Sequence, residues 1–150
     1  MRILLDTSVL LAAMVGAHPM HQVALPCLRR VKDGTDRGFV SAHSLAELCA
    51  ILTRLPVRPR IPPVVARRLI EENVISSCEV VSLSDKDYAA VIDHLAESGI
   101  VGGVTYDVLI LYAAIKVGTD RVITLNESDF KRIYPQLADQ ITSPRPLPGN

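Results

Sequence analysis

Short apolar runs alternate with longer segments of helical periodicity along the whole chain. The predicted strands cover residues 3–5, 39–41, 80–83 and 121–124. The predicted helices cover residues 9–15, 21–33, 45–55, 64–75, 84–97, 106–117 and 126–135. Strands that alternate with helices favour parallel pairing, because each helix makes the crossover to the next strand. The sequence therefore predicts an α/β fold in which a central parallel sheet carries helices on both faces.

The length of 150 residues suits a single domain. We expect that domain to span residues 1–142, because no internal repeat and no long linker interrupts it. Residues 143–150 contain three prolines and are predicted to form a flexible tail.

The three cysteines form no C-x-x-C pair, which argues against a disulfide scaffold or zinc ribbon and favours the cytoplasm. No charge-free apolar run is long enough to span a membrane. The apolar run at residues 8–15 loosely resembles a secretory signal. However, Asp6 places a charge at its start, and cleavage would remove the first predicted strand.

Several common ligand-binding classes are not supported by the sequence. The glycine-rich dinucleotide and phosphate-binding motifs are absent, as are G-x-S-x-G and H-E-x-x-H. With no Trp, two Phe and four Tyr, an aromatic stacking platform for single-stranded nucleic acid is not expected.

The net charge of zero conceals an uneven distribution. Residues 1–68 carry ten Lys and Arg against four Asp and Glu, whereas residues 69–150 carry six against twelve. Within the basic half, Arg54, Arg58 and Arg60 lie in a stretch without acids. Such a stretch can bind a phosphate backbone, and we predict that these arginines contact nucleic acid. The alternative is a solvated surface.

Isolated acidic and amide side chains occur in otherwise apolar surroundings. They are Asp6, Glu47, Asp107, Asn126 and Asp129. Several of them follow predicted strands, and parallel strands place their carboxyl ends at one edge of the sheet, where ligands bind. Oxygen ligands favour Mg²⁺ or Mn²⁺ over zinc. A hard cation held by carboxylates serves phosphoryl chemistry, because it polarises a phosphate and activates water.

Each of these residues also has a purely structural interpretation. Asp6, Asp107 and Asn126 can cap helix N-termini, and Asp129 can complete a capping box with Asn126. Glu47 caps nothing in the middle of a helix, and a buried carboxylate needs a partner.

Four segments carry a family resemblance when they are taken in order. They are residues 5–10 (LDTSVL), 41–48 (SAHSLAEL), 102–110 (GGVTYDVLI) and 124–130 (TLNESDF). In this order they resemble the PIN-domain ribonucleases, in particular the toxins of VapBC-type toxin–antitoxin pairs. The likeness extends over about residues 2–134.

The resemblance implies a three-layer α/β/α fold, a Mg²⁺ or Mn²⁺ site and cleavage of single-stranded RNA. It also implies a homodimer that a small antitoxin protein neutralises. Asp6, Glu47 and Asp107 match the family's acids, and the fourth ligand position stays open between Asn126 and Asp129. A supporting set of hydroxyls would orient ligands or phosphate oxygens: Thr7, Ser8 and Thr124.

The sequence is therefore interpreted as a metal-dependent endoribonuclease. One alternative is a catalytically inactive PIN-like module that binds RNA or a partner. The other is a phosphatase with Asp6 as its nucleophile, although such enzymes usually carry a second Asp two residues on, where Ser8 stands here.

Overall fold

A five-stranded, all-parallel sheet forms the centre of the protein in the computed structural model, which describes residues 1–145. The strands are β1 (Arg2–Leu5), β2 (Arg37–Ser41), β3 (Cys78–Val81), β4 (Arg121–Ile123) and β5 (Ile141–Thr142). Their order across the sheet is β3-β2-β1-β4-β5. Residues 146–150, the rest of the predicted tail, lie outside the described residues.

Seven α-helices connect and cover the strands within residues 1–145. They are α1 (Thr7–Met14), α2 (His21–Lys32), α3 (Ala42–Leu52), α4 (Pro63–Ile70), α5 (Asp85–Ser98), α6 (Val104–Val117) and α7 (Glu127–Ile133). A π-helical turn (Glu71–Ile75) extends α4, and a 3₁₀ turn (Pro135–Leu137) follows α7. No helix in this part of the chain is long and apolar enough to cross a membrane.

The sheet is buried on both faces, which confirms the predicted three-layer α/β/α fold. Ile3 and Leu5 pack with α1 to α4 on one face, whereas Leu4 packs with α5, α6 and α7 on the other. Val40 and Phe39 divide between the two faces in the same way. This alternation explains why the inner strands are continuous apolar runs rather than polar–apolar repeats.

The sheet differs from the prediction at its two outer strands, β3 and β5. β3 begins at Cys78, two residues before the predicted start, and it includes the exposed Glu79. This charge is tolerated because β3 lies at an edge of the sheet and Glu79 pairs with Arg37 of β2. β5 was not predicted, and its two residues pair with β4. Just after β5, Ser143 donates its backbone N–H to Glu127 Oε2 over 2.8 Å.

Two helices also differ from prediction. α2 begins at the predicted residue and ends at Lys32, one residue earlier than predicted, and it contains Pro26 at its sixth position. α6 begins at Val104, two residues earlier than predicted, and this shift changes the interpretation of Asp107 below.

Candidate active site

Asp6 lies where β1 ends, at the carboxyl edge of the sheet. Its backbone N–H donates to the carbonyl of Ile123 over 3.0 Å, so the pairing of β1 with β4 extends to this residue. The side chain is buried, with 3% of the residue exposed. Although Asp6 precedes α1, its side chain accepts no capping hydrogen bond from that helix. Backbone N–H groups of Thr7 and Ser8 nevertheless lower the pKa of the carboxyl, so Asp6 interacts with the start of α1 as well as with the strand edge.

Two hydroxyls converge on one oxygen of Asp6. Ser8 Oγ donates to Asp6 Oδ2 over 2.5 Å, and Thr124 Oγ1 donates to the same atom over 2.8 Å. The hydroxyl oxygens in turn accept the backbone N–H groups of Leu125 and Asn126, each at 3.0 Å. These N–H groups direct each hydroxyl proton to Asp6. Within residues 1–145 no side chain donates to Asp6 Oδ1, although the backbone N–H groups of Thr7 and Ser8 also act on this carboxylate.

Burial raises the pKa of Asp6, because a carboxylate removed from water is a poorer anion. The hydrogen bonds from Ser8 and Thr124 act in the opposite direction and favour the charged form. The hydroxyls therefore offset part of the cost of keeping an acid at this buried position.

Glu47 reaches the same edge of the sheet from α3. Ser41 ends β2 and caps this helix by accepting the backbone N–H of His43, so the helix starts directly at the strand end. Thr7 Oγ1 donates to Glu47 Oε1 over 3.1 Å, and His43 Nε2 lies 3.3 Å from the same oxygen. Glu47 is half-buried, with 31% of its side chain exposed. The sequence indicated that a carboxylate buried at this position needs a partner, and the structure gives Glu47 two polar neighbours.

Asp107 is the fourth residue of α6, and Gly103 precedes the helix at the N-cap position. Asp107 therefore does not cap this helix, and its side chain makes no hydrogen bond within the described chain. Its pKa is raised to about 6, first by burial and then by the negative charges of Asp6, Glu47 and Asp129. The four carboxylates thus act on one another at the carboxyl edge of the sheet.

Asn126 and Asp129 flank the start of α7. Asn126 is exposed, and its side chain forms no capping hydrogen bond, so the predicted capping box is absent. Asp129 Oδ1 accepts from Arg132 Nη2 over 2.9 Å, and 53% of its side chain is exposed. The charge of Asp129 acts on Asp107, whereas Asn126 joins the site through its backbone N–H to Thr124.

The carboxylates are close enough to repel one another but do not form a closed cage. Within residues 1–145, no three His, Cys, Asp or Glu side chains stand together as a ready-made metal site. The donor chemistry nevertheless suits a hard divalent cation, because Asp6 Oδ1 and the Asp107 carboxylate are oxygen ligands that no side chain in this range occupies. Mg²⁺ is usually held by one or two carboxylates and keeps several waters, so a closed cage is not required.

The predicted nucleic-acid contacts lie outside this cluster. Arg54, Arg58 and Arg60 are exposed on the connection between α3 and α4, and none of them forms an ion pair within the described residues. Arg54 follows Glu47 by seven residues, so the basic segment begins about two helical turns beyond an acid of the site.

Two aromatic rings beside the acids were not among the predicted site residues. His43 and Tyr106 stack with their ring centroids 5.1 Å apart and their planes 8° from parallel. Local helical periodicity places His43 on the same stripe as Glu47 but does not link it to Tyr106. The pair joins α3 to α6, and sequence spacing carries no signal for such a tertiary contact.

A family model, two relatives by sequence and a solved structure of similar fold agree with one another. The family model described as PIN domain matches residues 3–135. Ribonuclease VapC40 of Mycobacterium tuberculosis is 36% identical over 113 residues, covering 75% of this chain and 78% of that protein. Ribonuclease VapC27 of the same species is 31% identical over 109 residues, covering 73% and 74%. VapBC2 from Rickettsia felis, solved bound to a DNA fragment from its promoter, has a similar fold (TM-score 0.66, 22% identity, 95% and 98% coverage).

Proposed function

This chain belongs to the PIN-domain family, and on that basis we propose that it is an endoribonuclease that hydrolyses RNA phosphodiester bonds with Mg²⁺ or Mn²⁺. The observation that carries the proposal is the raised pKa of Asp107, to about 6, in the combined field of Asp6, Glu47 and Asp129. Such mutual repulsion is relieved by a cation, and perturbed acids of this kind concentrate at functional sites.

The residues take distinct parts in this proposal. Asp6 Oδ1 and Asp107 would hold the cation, and Glu47, fixed by Thr7, would support it. We assign the fourth acidic position to Asp129 because its charge acts on Asp107, whereas Asn126 contributes its backbone N–H. A pair of hydroxyls holds the Asp6 carboxylate in one orientation: Ser8 and Thr124. When bound, a divalent cation polarises the scissile phosphate and lowers the pKa of water.

Direct hydrolysis determines the chemistry of the product ends. Water adds to phosphorus, the bond to the 3′ oxygen breaks, and that oxygen leaves with a proton. We therefore expect cleaved RNA to carry 5′-phosphate and 3′-hydroxyl ends. The check is end-group analysis of products made with Mg²⁺ or Mn²⁺ from unmodified RNA and from a matched RNA with a 2′-deoxynucleotide on the 5′ side of the cut.

The modified substrate separates this mechanism from attack by the neighbouring 2′-hydroxyl. Direct hydrolysis does not use that hydroxyl as the nucleophile, so the substituted RNA should still be cut. A 2′,3′-cyclic phosphate end on the unmodified RNA would contradict the proposed chemistry.

The arginines between α3 and α4 are proposed to track the RNA backbone. Replacing Arg54, Arg58 and Arg60 together by Ala should weaken RNA binding and make the affinity less dependent on salt. Each lost phosphate contact is expected to reduce the steepness of log affinity against log salt by about 0.7 for a single strand. The measurement is RNA binding in EDTA at several salt concentrations.

A matched variant tests whether position matters or only total charge. Replacing Arg29, Lys86 and Arg121 by Ala removes the same charge from other exposed sites. Arg121 is the first residue of β4, so it lies at the amino ends of the strands, away from the carboxyl edge that carries the acids. An equal change of slope in both triple variants would show that the segment has no special part in binding.

We propose that the chain is the toxin of a toxin–antitoxin pair, as its resemblance to the VapC ribonucleases suggests, and that it forms a homodimer neutralised by a small antitoxin. Such a toxin acts on RNA in the cytoplasm, where thiols such as those of Cys27, Cys49 and Cys78 stay reduced. Co-expression with the protein encoded beside it should give a stable complex that no longer cuts RNA.

An inactive binding module of the same fold is the second candidate. The retained acids Asp6, Glu47 and Asp107 favour catalysis, since a scaffold gains nothing from repulsion among buried and half-buried carboxylates. Metal-dependent cleavage by the purified protein, abolished by EDTA, separates the two. The aspartyl phosphatase is disfavoured because Ser8 stands where a second Asp is needed and donates to Asp6 instead.

A further inference from the structure

We propose that the stacked rings of His43 and Tyr106 form a binding site for one nucleobase of the RNA and position the nucleotide beside the acids. This inference rests on the proposed function. It concerns how the same site selects and holds single-stranded RNA rather than how the phosphodiester bond is broken.

The two rings come from the two helices that carry acids of the site. His43 lies one turn before Glu47 on α3, and Tyr106 immediately precedes Asp107 on α6. A base on this pair would therefore lie beside Glu47, because the stacked His43 ring has its Nε2 3.3 Å from Glu47 Oε1. Positioning at that distance affects which phosphate meets the acids.

Tyr106 is unusually exposed for an aromatic residue. His43 stacks on its ring, yet 53% of Tyr106 remains accessible. Both phenylalanines and Tyr134 are buried, and the other exposed tyrosine is Tyr88. An exposed aromatic face beside an acidic site is available to a planar ligand.

His43 provides a fixed support beneath Tyr106. Its backbone N–H donates to Ser41 Oγ, and its Nε2 is buried 3.3 Å from Glu47 Oε1. Only 22% of its side chain is exposed. Because most of the histidine is buried and its ring edge lies against Glu47, Tyr106 stacks on a ring that is already positioned, and a base that stacks on Tyr106 orders few further groups.

Base stacking would give this site a preference for single-stranded RNA. A base in a duplex already has its faces covered, whereas an unpaired base can leave its strand and stack on an aromatic ring. Stacking tolerates all four bases, because each has a π-face. The scarcity of aromatic residues argues against an extended platform, but one base requires only one exposed ring.

The decisive experiment combines a protein variant with a modified RNA. Single-stranded RNAs that carry one abasic nucleotide, moved along the strand, are bound in EDTA so that none is cut. For the wild-type protein we expect one position at which loss of the base weakens binding by roughly tenfold. Tyr106→Ala should bind the unmodified RNA about tenfold less tightly and should lose nothing further at that position.

Three further variants control for folding and shape. Tyr106→Phe keeps the ring and should behave as wild type, whereas Tyr106→Leu keeps apolar bulk without a π-face and should behave as Tyr106→Ala. Tyr88→Ala removes an exposed ring of similar accessibility near Asp87, which pairs with Lys116 at the far end of α6, and should leave binding unchanged.

The outcomes are separable from those of the proposed function. If the wild-type protein cuts RNA but Tyr106→Ala or Tyr106→Leu binds as tightly as wild type, the stacking site is wrong and the ribonuclease stands. The same conclusion follows if Tyr106→Ala still loses affinity at the sensitive position. If the wild-type protein neither binds nor cuts RNA, both proposals are wrong.

Discussion

Asp107→Asn is expected to abolish RNA cleavage while making the metal-free protein more stable. The substitution removes a proposed cation ligand, and loss of such an electrostatic contact costs on the order of 10³-fold in rate. It also removes a carboxylate that burial and the charges of Asp6, Glu47 and Asp129 destabilise. We expect a gain of about 1 kcal/mol, because water screens much of the repulsion at a half-buried side chain.

The stability gain should depend on pH with a defined sign. The pKa of Asp107 is raised from 3.8 to about 6 in the folded protein, so folding favours the protonated acid. Ionisation of Asp107 therefore lowers the stability of the wild-type protein relative to Asp107→Asn as the pH rises from about 4 through 6, and the advantage of the variant grows over that interval. Above about pH 7 the advantage should be constant.

The change in stability is measured by thermal melting in EDTA and in Mg²⁺ or Mn²⁺. The change in activity is measured by an RNA cleavage assay. Metal should raise the melting temperature of the wild-type protein and raise that of Asp107→Asn much less. Asp93→Asn, which changes an exposed acid on α5, is the matched control and should alter neither. An Asp107→Asn protein that cuts RNA normally and gains as much from metal as wild type would contradict the assigned ligand.

Thr124→Val is expected to lower both the stability of the protein and its rate of RNA cleavage. Thr124 is fully buried, donates to Asp6 Oδ2 and accepts the N–H of Asn126. Valine has the same shape but leaves that N–H without its partner, which we expect to cost about 2 kcal/mol, or roughly 6 °C in melting temperature. Loss of the donor also raises the pKa of Asp6 further. Cleavage should fall about 10- to 100-fold, as is usual when a ligand loses its supporting hydrogen bond.

Thr124→Ser distinguishes the hydroxyl from the packing. Serine keeps both hydrogen bonds and loses one methyl group, so we expect most of the activity to survive with a smaller loss of stability. The two variants are compared by denaturant unfolding and by cleavage rate. Equal activity in Thr124→Val and wild type would show that the orientation of Asp6 does not matter for the reaction.

The fold could be predicted from the sequence because burial on both faces makes the central strands plain apolar runs. Residues 3–5 and 39–41 were recognisable for this reason, and both lie in the sheet. The edges were less predictable. Glu79 in β3 is held by Arg37 of the neighbouring strand, and the two residues of β5 are too few to form a pattern.

The placement of the acids could be predicted in part. Asp6 and Thr124 follow paired strands, so the common carboxyl edge of a parallel sheet brings them together. The N-cap alternative for Asp107 was wrong because α6 begins earlier than its apolar pattern indicates. Two tertiary contacts depend on how α1, α3 and α6 pack, which local periodicity does not encode: the pairing of Thr7 with Glu47 and the stack of His43 on Tyr106.

The two oxygens of Asp6 differ, and this difference bears on ion selectivity. Ser8 and Thr124 both donate to Oδ2, so a cation held at this edge would meet Asp6 chiefly through Oδ1. Ca²⁺ gathers about six to eight oxygens and often takes both atoms of a carboxylate, whereas Mg²⁺ accepts single oxygens in an octahedral arrangement. The hydroxyls would thus favour monodentate coordination by Asp6 and would disfavour calcium relative to magnesium at this site.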